Sequence, residues 1–179
     1  RARWMRPDSG QLQTPVAHLV CNFADGVDGQ PPLLSHDDVI TLFHECGHGL
    51  HHMLTQINER DVSGISGVEW DAVELPSQFM ENFCWDRESL DLFARHFETG
   101  DAIPEELFAK MTAARNYLSA SAFMRQLSLA KLDLELHIHY TRWLGGELDA
   151  VDREILKDYR APLKTETPSM LRRFSHLFS

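Results

Sequence analysis

The sequence has 179 residues, of which 43% are hydrophobic and 25% charged, and its formal net charge is −10. This composition is typical of a folded globular protein with room for a core, and the acidic balance argues against nucleic-acid binding. No apolar run approaches the roughly 18 residues that cross a bilayer, and the chain opens without a secretion signal, so we expect no nucleic-acid or membrane partner.

The three cysteines, Cys21, Cys46 and Cys84, are odd in number and lack Cys-x-x-Cys spacing. This pattern disfavours a disulfide framework or a thiolate zinc cluster and favours a reducing compartment. We therefore predict a cytoplasmic protein in which each cysteine is a small buried apolar residue.

The chain begins with residues 1–15, which contain proline and glycine and are predicted to be irregular. The segment Val16–Phe23 is rich in β-forming residues and ends at a turn-forming stretch. The sequence therefore predicts a short β-strand region near the N-terminus.

A helix is predicted next, with Ser35 as its N-cap and Asp38 in its first turn. It extends to about Leu54, because apolar residues recur at helical spacing. These residues are Val39, Phe43, Cys46, Leu50 and Met53.

This helix carries the motif His-Glu-x-x-His. His44 and His48 project from one face, one turn apart, where both imidazoles can reach a single Zn²⁺. Glu45 lies beside that face, placed to act on a water at the metal. Gly47 and Gly49 each cost the helix about 1 kcal/mol relative to Ala, and they predict that another backbone passes close by.

A catalytic zinc site with two histidines needs a third protein ligand and one open position. The sequence predicts a second helix near Glu74, with Pro76 in its first turn. Glu74 is the better candidate, since it begins a helix that can pack against the first, and Glu81 is the runner-up.

Two more histidines, His51 and His52, follow the motif closely. The spacing that makes a third histidine a ligand requires Gly at position 51 and His at position 54, where this chain has His51 and Leu54. We interpret His51 and His52 as packing or hydrogen-bonding residues.

Three further helices are predicted, one opening at Pro104, one from about Leu118 to Trp143, and one from Asp149 to Tyr159. Residues 132–139 alternate with strand period, but their Leu, Lys and Glu content favours helix. The predicted fold class is therefore mainly α.

Two motifs together resemble a known family. His44-Glu45-x-Gly47-His48, followed by Glu74-Leu-Pro-Ser-Gln, is similar to the thimet oligopeptidase family of zinc metallopeptidases. The similarity extends through essentially the whole chain and implies a zincin-like helical catalytic domain that hydrolyses short peptides.

The resemblance also implies roles for individual residues. It assigns one Zn²⁺ per chain to His44, His48 and Glu74, and it makes Glu45 the general base. The segment around His176 resembles the stretch whose histidine binds substrate and stabilises the transition state, so His176 inherits a catalytic role by resemblance.

Family members continue beyond the segment around His176 into a glycine- and tyrosine-rich stretch, and they carry a helical region that walls off a substrate channel. Neither is present among these 179 residues. We therefore expect residues 1–179 to be a fragment of one catalytic domain, weakly active or inactive alone.

Other interpretations stay open on the residues alone. A non-catalytic structural zinc site would be closed by a fourth ligand, such as His51, Cys46 or Glu81, and a helical interaction module would bind no zinc. The segment Val16–Phe23 is either an ordinary structural strand or an edge that pairs with a peptide substrate. Oligomeric state and cleavage preference are also left open.

Overall fold

The computed structural model describes residues 1–161 and 168–178, with the backbone alone described at His176 and Phe178. The fold is mainly helical, as the sequence predicts. Its regular elements are the strands β1 (Trp4–Met5) and β2 (Leu12–Gln13) and the helices α1 (His36–Met53), α2 (Leu75–Glu81), α3 (Arg87–Phe93), α4 (Glu105–Ala114), α5 (Ser119–Ile138), α6 (Tyr140–Trp143) and α7 (Leu148–Leu156). Short 3₁₀ helices occupy Arg60–Val62, Asn82–Cys84, Met170–Arg172 and Ser175–Phe178. Within these described ranges, no helix combines the length and apolarity that crossing a membrane requires.

The predicted strand Val16–Phe23 is wrong. The antiparallel pair β1 and β2 lies instead within residues 1–15, where the sequence predicts irregular chain. Val16 and Arg1 exchange two backbone hydrogen bonds of 2.8 Å. In the described part of the chain, residues 17–23 form no ladder with a neighbouring strand. A high β-propensity yields a strand only where another backbone supplies partners for its N–H and C=O groups.

The prediction of α1 is confirmed, and its start is fixed by a capping box. The Ser35 backbone N–H donates to the Asp38 carboxylate at 2.8 Å, and the Asp38 N–H donates to the Ser35 hydroxyl at 3.2 Å. This reciprocal pair satisfies two helix-start donors and sets the register of the whole helix. The observed end at Met53 agrees with the predicted end near Leu54.

The three later helices are also confirmed, as α4, α5 with α6, and α7, although α7 ends at Leu156 and not at the predicted Tyr159. Residues 132–138 belong to α5, so the strand alternative for this stretch is wrong. The helix satisfies these backbone groups locally and needs no partner strand, which an alternating pattern alone does not provide. A break at His139 separates α5 from α6.

The chain divides into two compact units, Arg1–Ala109 and Lys110–Ser179. The first contains α1 and α2. The second has its own core, formed by Leu132, Val151, Ile155, Leu156 and Leu177. The expectation that all 179 residues belong to one catalytic domain stays a prediction.

Candidate metal centre

Helices α1 and α2 meet at Gly47, which lies between the two motif histidines. A Cβ at this position would lie 2.5 Å from the Ser77 Cα and 2.6 Å from the Pro76 carbonyl oxygen. Only a residue without a side chain permits backbone contact this close. The expectation of a close backbone is therefore confirmed at Gly47, where that backbone is the first turn of α2, but is wrong at Gly49, where the nearest atoms belong to side chains.

This contact brings a carboxylate onto the histidine face of α1. Glu74, the residue immediately before α2, places its Oε2 atom 3.2 Å from His44 Nε2 and 3.2 Å from His48 Nε2. The candidate ligand atoms of the three residues all lie within 4.8 Å of one another. The structure thus brings together the three residues that the sequence names as metal ligands.

The donor set and spacing suit a zinc ion. Zinc bonds of about 2.1 Å at tetrahedral angles separate neighbouring ligand atoms by about 3.4 Å. The two 3.2 Å separations from Glu74 Oε2 are close to that value. Two imidazole nitrogens and one carboxylate oxygen are also the ligand types of catalytic zinc sites that keep one position open.

Ser77, a residue not predicted to be functional from the sequence, orients the Glu74 carboxylate. Its side chain is fully buried, and its hydroxyl lies 2.9 Å from Glu74 Oε2 and 2.8 Å from the Glu74 carbonyl oxygen. The hydroxyl can donate to either acceptor and so limits the rotation of the Glu74 side chain. The sequence signal that could have identified Ser77 is its position three residues after Glu74, the residue that precedes α2.

Glu81, the runner-up ligand in the sequence analysis, contacts the other nitrogen of His44. Its Oε1 atom lies 2.7 Å from His44 Nδ1, and it is not a member of the three-residue cluster found among the described residues. By contrast, His48 Nδ1 is buried and has no hydrogen-bond partner in the described part of the chain.

Glu45 lies on α1 between half-buried neighbours and is itself half-buried. The candidate general base takes part in no hydrogen bond or ion pair recorded for the described residues. A carboxylate without a structural partner remains available to accept a proton.

The His176 backbone belongs to the 3₁₀ helix Ser175–Phe178 in the second unit. Its side chain lies outside the described part of the structure, so the role that resemblance assigns to His176 stays a prediction.

The neighbouring thiols are poor candidates for metal binding. Burial, with a smaller contribution from the Glu81 charge, raises the pKa of Cys84 to about 11. Burial likewise raises the pKa of Cys46, with a smaller contribution from Cys21. Neither thiol belongs to the candidate metal cluster of the described residues. All three cysteines are free, and the prediction that each is buried is confirmed for Cys84 but wrong for Cys21 and Cys46, which are partly exposed.

The two remaining histidines of α1 have different surroundings. His52 Nε2 lies 3.0 Å from the Arg1 carbonyl oxygen, and its ring packs against Gly64, whose φ is +70°. His51 lines an apolar cavity of about 730 Å³ with residues of both helices, including Leu50, Leu75 and Phe79. Neither histidine belongs to the candidate metal cluster of the described residues.

Sequence comparison with known proteins places the chain in a family. Residues 2–179 match peptidase family M3. The chain belongs to this family. It is 50% identical over 175 residues to oligopeptidase A of Salmonella typhimurium and, over the same length, 50% identical to that of Escherichia coli. It is also 52% identical over 128 residues to oligopeptidase A of Haemophilus influenzae.

The first two matches cover nearly all of this M3 chain, and every match covers only part of the relative. They include 98% of the chain and 26% of the Salmonella and Escherichia proteins, and 72% of the chain and 19% of the Haemophilus protein. The chain therefore spans about a quarter of the length of the first two relatives.

Proposed function

We propose that this M3 family chain carries the zinc-binding part of an endopeptidase that hydrolyses short oligopeptides. The observation that carries the proposal is the convergence of His44 Nε2, His48 Nε2 and Glu74 Oε2. Family membership and the name oligopeptidase A of the relatives support the same activity. The proposed cofactor is one Zn²⁺ per chain.

The proposed chemistry assigns a distinct task to each residue. Zinc, when bound, supplies a Lewis acid that polarises a peptide carbonyl and acidifies water. Glu45 accepts the proton of the attacking water and returns it to the leaving amine. Glu74 is the third metal ligand, and the Ser77 hydroxyl orients its carboxylate toward His44 and His48. His176 donates a hydrogen bond to the developing oxyanion.

An apolar cavity supports peptide substrates with hydrophobic side chains. The cavity of about 730 Å³ is lined by both helices that carry the candidate ligands, and Gly47 and Pro76 belong to its wall. Its volume lies within the range of ordinary small-ligand sites. The proposed location of the protein is the cytoplasm, in line with its free cysteines.

The number of ligands favours an enzyme over a structural zinc site. Among the described residues, the candidate cluster has three members, whereas a structural zinc is normally closed by four protein ligands. His51, Cys46 and Glu81 do not join that cluster. Because the chain spans 26% of its first relatives, we further propose that the 179 residues alone are weakly active or inactive.

The assignment of Glu45 is tested in a hybrid protein in which this chain replaces the matching region of Escherichia coli oligopeptidase A. We expect Glu45→Ala to lower hydrolysis of a quenched-fluorescent peptide by about 10²–10⁴-fold, the usual contribution of a general base. Zinc content should stay at one ion per protein, because Glu45 is not a ligand.

Two further variants serve as controls for this experiment. His44→Ala should lose both zinc and activity, while Glu88→Ala, an exposed acid on α3, should retain both. Undiminished hydrolysis by Glu45→Ala would refute the general-base role, and full zinc retention by His44→Ala would refute the metal centre.

A further inference from the structure

Two carboxylates, one just before α2 and one at its end, face the two ring nitrogens of His44. Nε2 lies 3.2 Å from Glu74 Oε2, and Nδ1 lies 2.7 Å from Glu81 Oε1. Glu74 and Glu81 are seven residues apart, which is two helical turns, or about 10.5 Å along the axis. Residues at this spacing share a helix face, so the two carboxylates flank one imidazole from a single face of α2.

The contact with Glu81 selects one form of the imidazole. An ionised carboxylate can only accept a hydrogen bond, and a neutral imidazole carries a single N–H. The contact with Glu81, at 2.7 Å, is shorter than the 3.2 Å contact with Glu74 and therefore favours the proton on Nδ1. The lone pair is then left on Nε2, the nitrogen that faces Glu74 and His48.

The position of Glu81 is not that of a metal ligand. A ligand oxygen has to converge with the two Nε2 atoms, as Glu74 Oε2 does at 3.2 Å from each. Glu81 is on the opposite edge of the His44 ring, and its side chain is 34% exposed, so it is not needed to fill a closed core. Its contact with His44 is the polar interaction that the structure records for it.

We propose that Glu81 is a positioning residue that fixes His44 as the Nδ1–H tautomer and orients its ring for metal binding. The inference rests on the proposed metal function of His44. Partners of this kind raise the basicity of the ligating nitrogen, and their loss typically lowers metal affinity by about 10–100-fold. The same loss leaves His48 unaffected, because its ring has no contact with Glu81 among the described hydrogen bonds.

The first experiment reads the tautomer directly in the metal-free 179-residue chain. Long-range ¹H–¹⁵N correlation spectra of histidine-labelled protein at pH 8 distinguish Nδ1–H from Nε2–H imidazole, and His44→Gln identifies the His44 signals. We expect Nδ1–H in the unsubstituted chain and a mixture of tautomers in Glu81→Ala. Glu81→Gln keeps an acceptor in place and should largely restore Nδ1–H.

The second experiment measures zinc affinity by competition with a chromophoric chelator. Glu81→Ala should bind zinc about 10–100-fold more weakly than the unsubstituted chain, with Glu81→Gln in between. Glu88→Ala removes the same charge from an exposed position of α3 and should change the affinity by no more than about twofold. Circular dichroism spectra of all variants verify that the helices are retained.

The possible outcomes separate this inference from the proposed function. Unchanged His44 signals in Glu81→Ala, or a zinc affinity equal to that of Glu88→Ala, would overturn the role of Glu81 while leaving the metal centre standing. Absence of zinc binding by the unsubstituted chain would overturn the metal centre and the affinity effect together. The metal-free spectra would then still decide whether Glu81 sets the tautomer.

Discussion

At the scale of single residues, the candidate metal centre depends on side chains that are not themselves ligands. Ser77 is completely buried, and its hydroxyl is shared between the carbonyl and carboxylate oxygens of Glu74. A half-exposed glutamate, with 49% of its side chain accessible, would otherwise sample several rotamers. The serine therefore reduces the conformational freedom that metal binding would have to remove.

We expect Ser77→Ala to weaken zinc binding by about tenfold, because Glu74 loses the donor that orients it. Chelator competition measures the change. Ser89→Ala is a matched control, since the Ser89 hydroxyl makes a 2.7 Å hydrogen bond to Asp86 at the start of α3. Equal zinc affinities for the two variants would contradict the role of Ser77.

His36, the first residue of α1, is expected to make the folding stability of the protein depend on pH. Burial lowers the pKa of His36 below its ordinary value of 6.5, and the nearby Asp37 charge only partly opposes this. Its ring packs edge-on against Trp85 at 4.4 Å, and its Nε2 atom is buried without a hydrogen-bond partner among the described residues. The folded protein therefore disfavours protonated His36.

The sign of the effect follows from proton linkage. Between the lowered pKa of folded His36 and the unfolded value of 6.5, the unfolded chain binds more protons, so stability rises with pH. This contribution is complete above pH 6.5 and is lost as the pH falls through the folded pKa. His36→Gln should flatten the pH dependence of the urea midpoint below pH 6.5. Parallel profiles for the two proteins would exclude the effect.

At the scale of helices, the distance between α1 and α2 is set by backbone contact at Gly47. A Cβ there would collide with main-chain atoms of Ser77 and Pro76, which cannot rotate away as a flexible side chain can. At Gly49, one half-turn on, the nearest atoms to a Cβ would be Leu19 Cδ2 at 3.5 Å and Ala17 Cβ at 4.0 Å. The two glycines of one helix therefore have different structural roles.

Alanine substitutions at Gly47 and Gly49 are expected to change the free energy of unfolding in opposite directions. Gly47→Ala should lower the free energy of unfolding by about 1–3 kcal/mol through overpacking and should also weaken zinc binding, since α2 carries Glu74. Gly49→Ala makes only ordinary van der Waals contacts and should stabilise the helix by up to about 1 kcal/mol. Denaturant unfolding and zinc titration of both variants test this. Similar effects from the two substitutions would contradict the assigned contact.

At the scale of the whole molecule, the chain matches 26% of the Escherichia coli relative. The remaining parts of that protein, and any substrate contacts they make, have no counterpart among these 179 residues. Loss of even one oxyanion donor costs an enzyme about 10²–10³ in rate. A chain that binds metal can therefore still be a poor catalyst.

We expect the 179-residue chain to hydrolyse a quenched-fluorescent peptide at least about 10²-fold more slowly than Escherichia coli oligopeptidase A. Both proteins should be assayed at equal zinc occupancy, so that a difference in metal loading does not account for the rates. Comparable turnover by the two would show that the matched quarter of the relative is sufficient for catalysis.

Features that depend on local interactions could be predicted from the sequence alone. Helical spacing of apolar residues and the Ser35 cap predicted α1 to within a residue at its end, and the same periodicity predicted the helix that follows Glu74. The motif spacing on α1 also placed His44 and His48 on one face, since that relation is internal to a single helix.

Relations between segments distant along the chain became known from the tertiary structure. It decided that Val16–Phe23 lacks a strand partner, that α2 lies against Gly47, and that Glu81 contacts Nδ1 of His44. Strand pairing, helix approach and the choice between two ring nitrogens all depend on which backbone packs nearby. Local propensity and periodicity carry no information about that neighbour, so the sequence named both carboxylates as candidate ligands and the packing of α2 on α1 gave each a different nitrogen of His44.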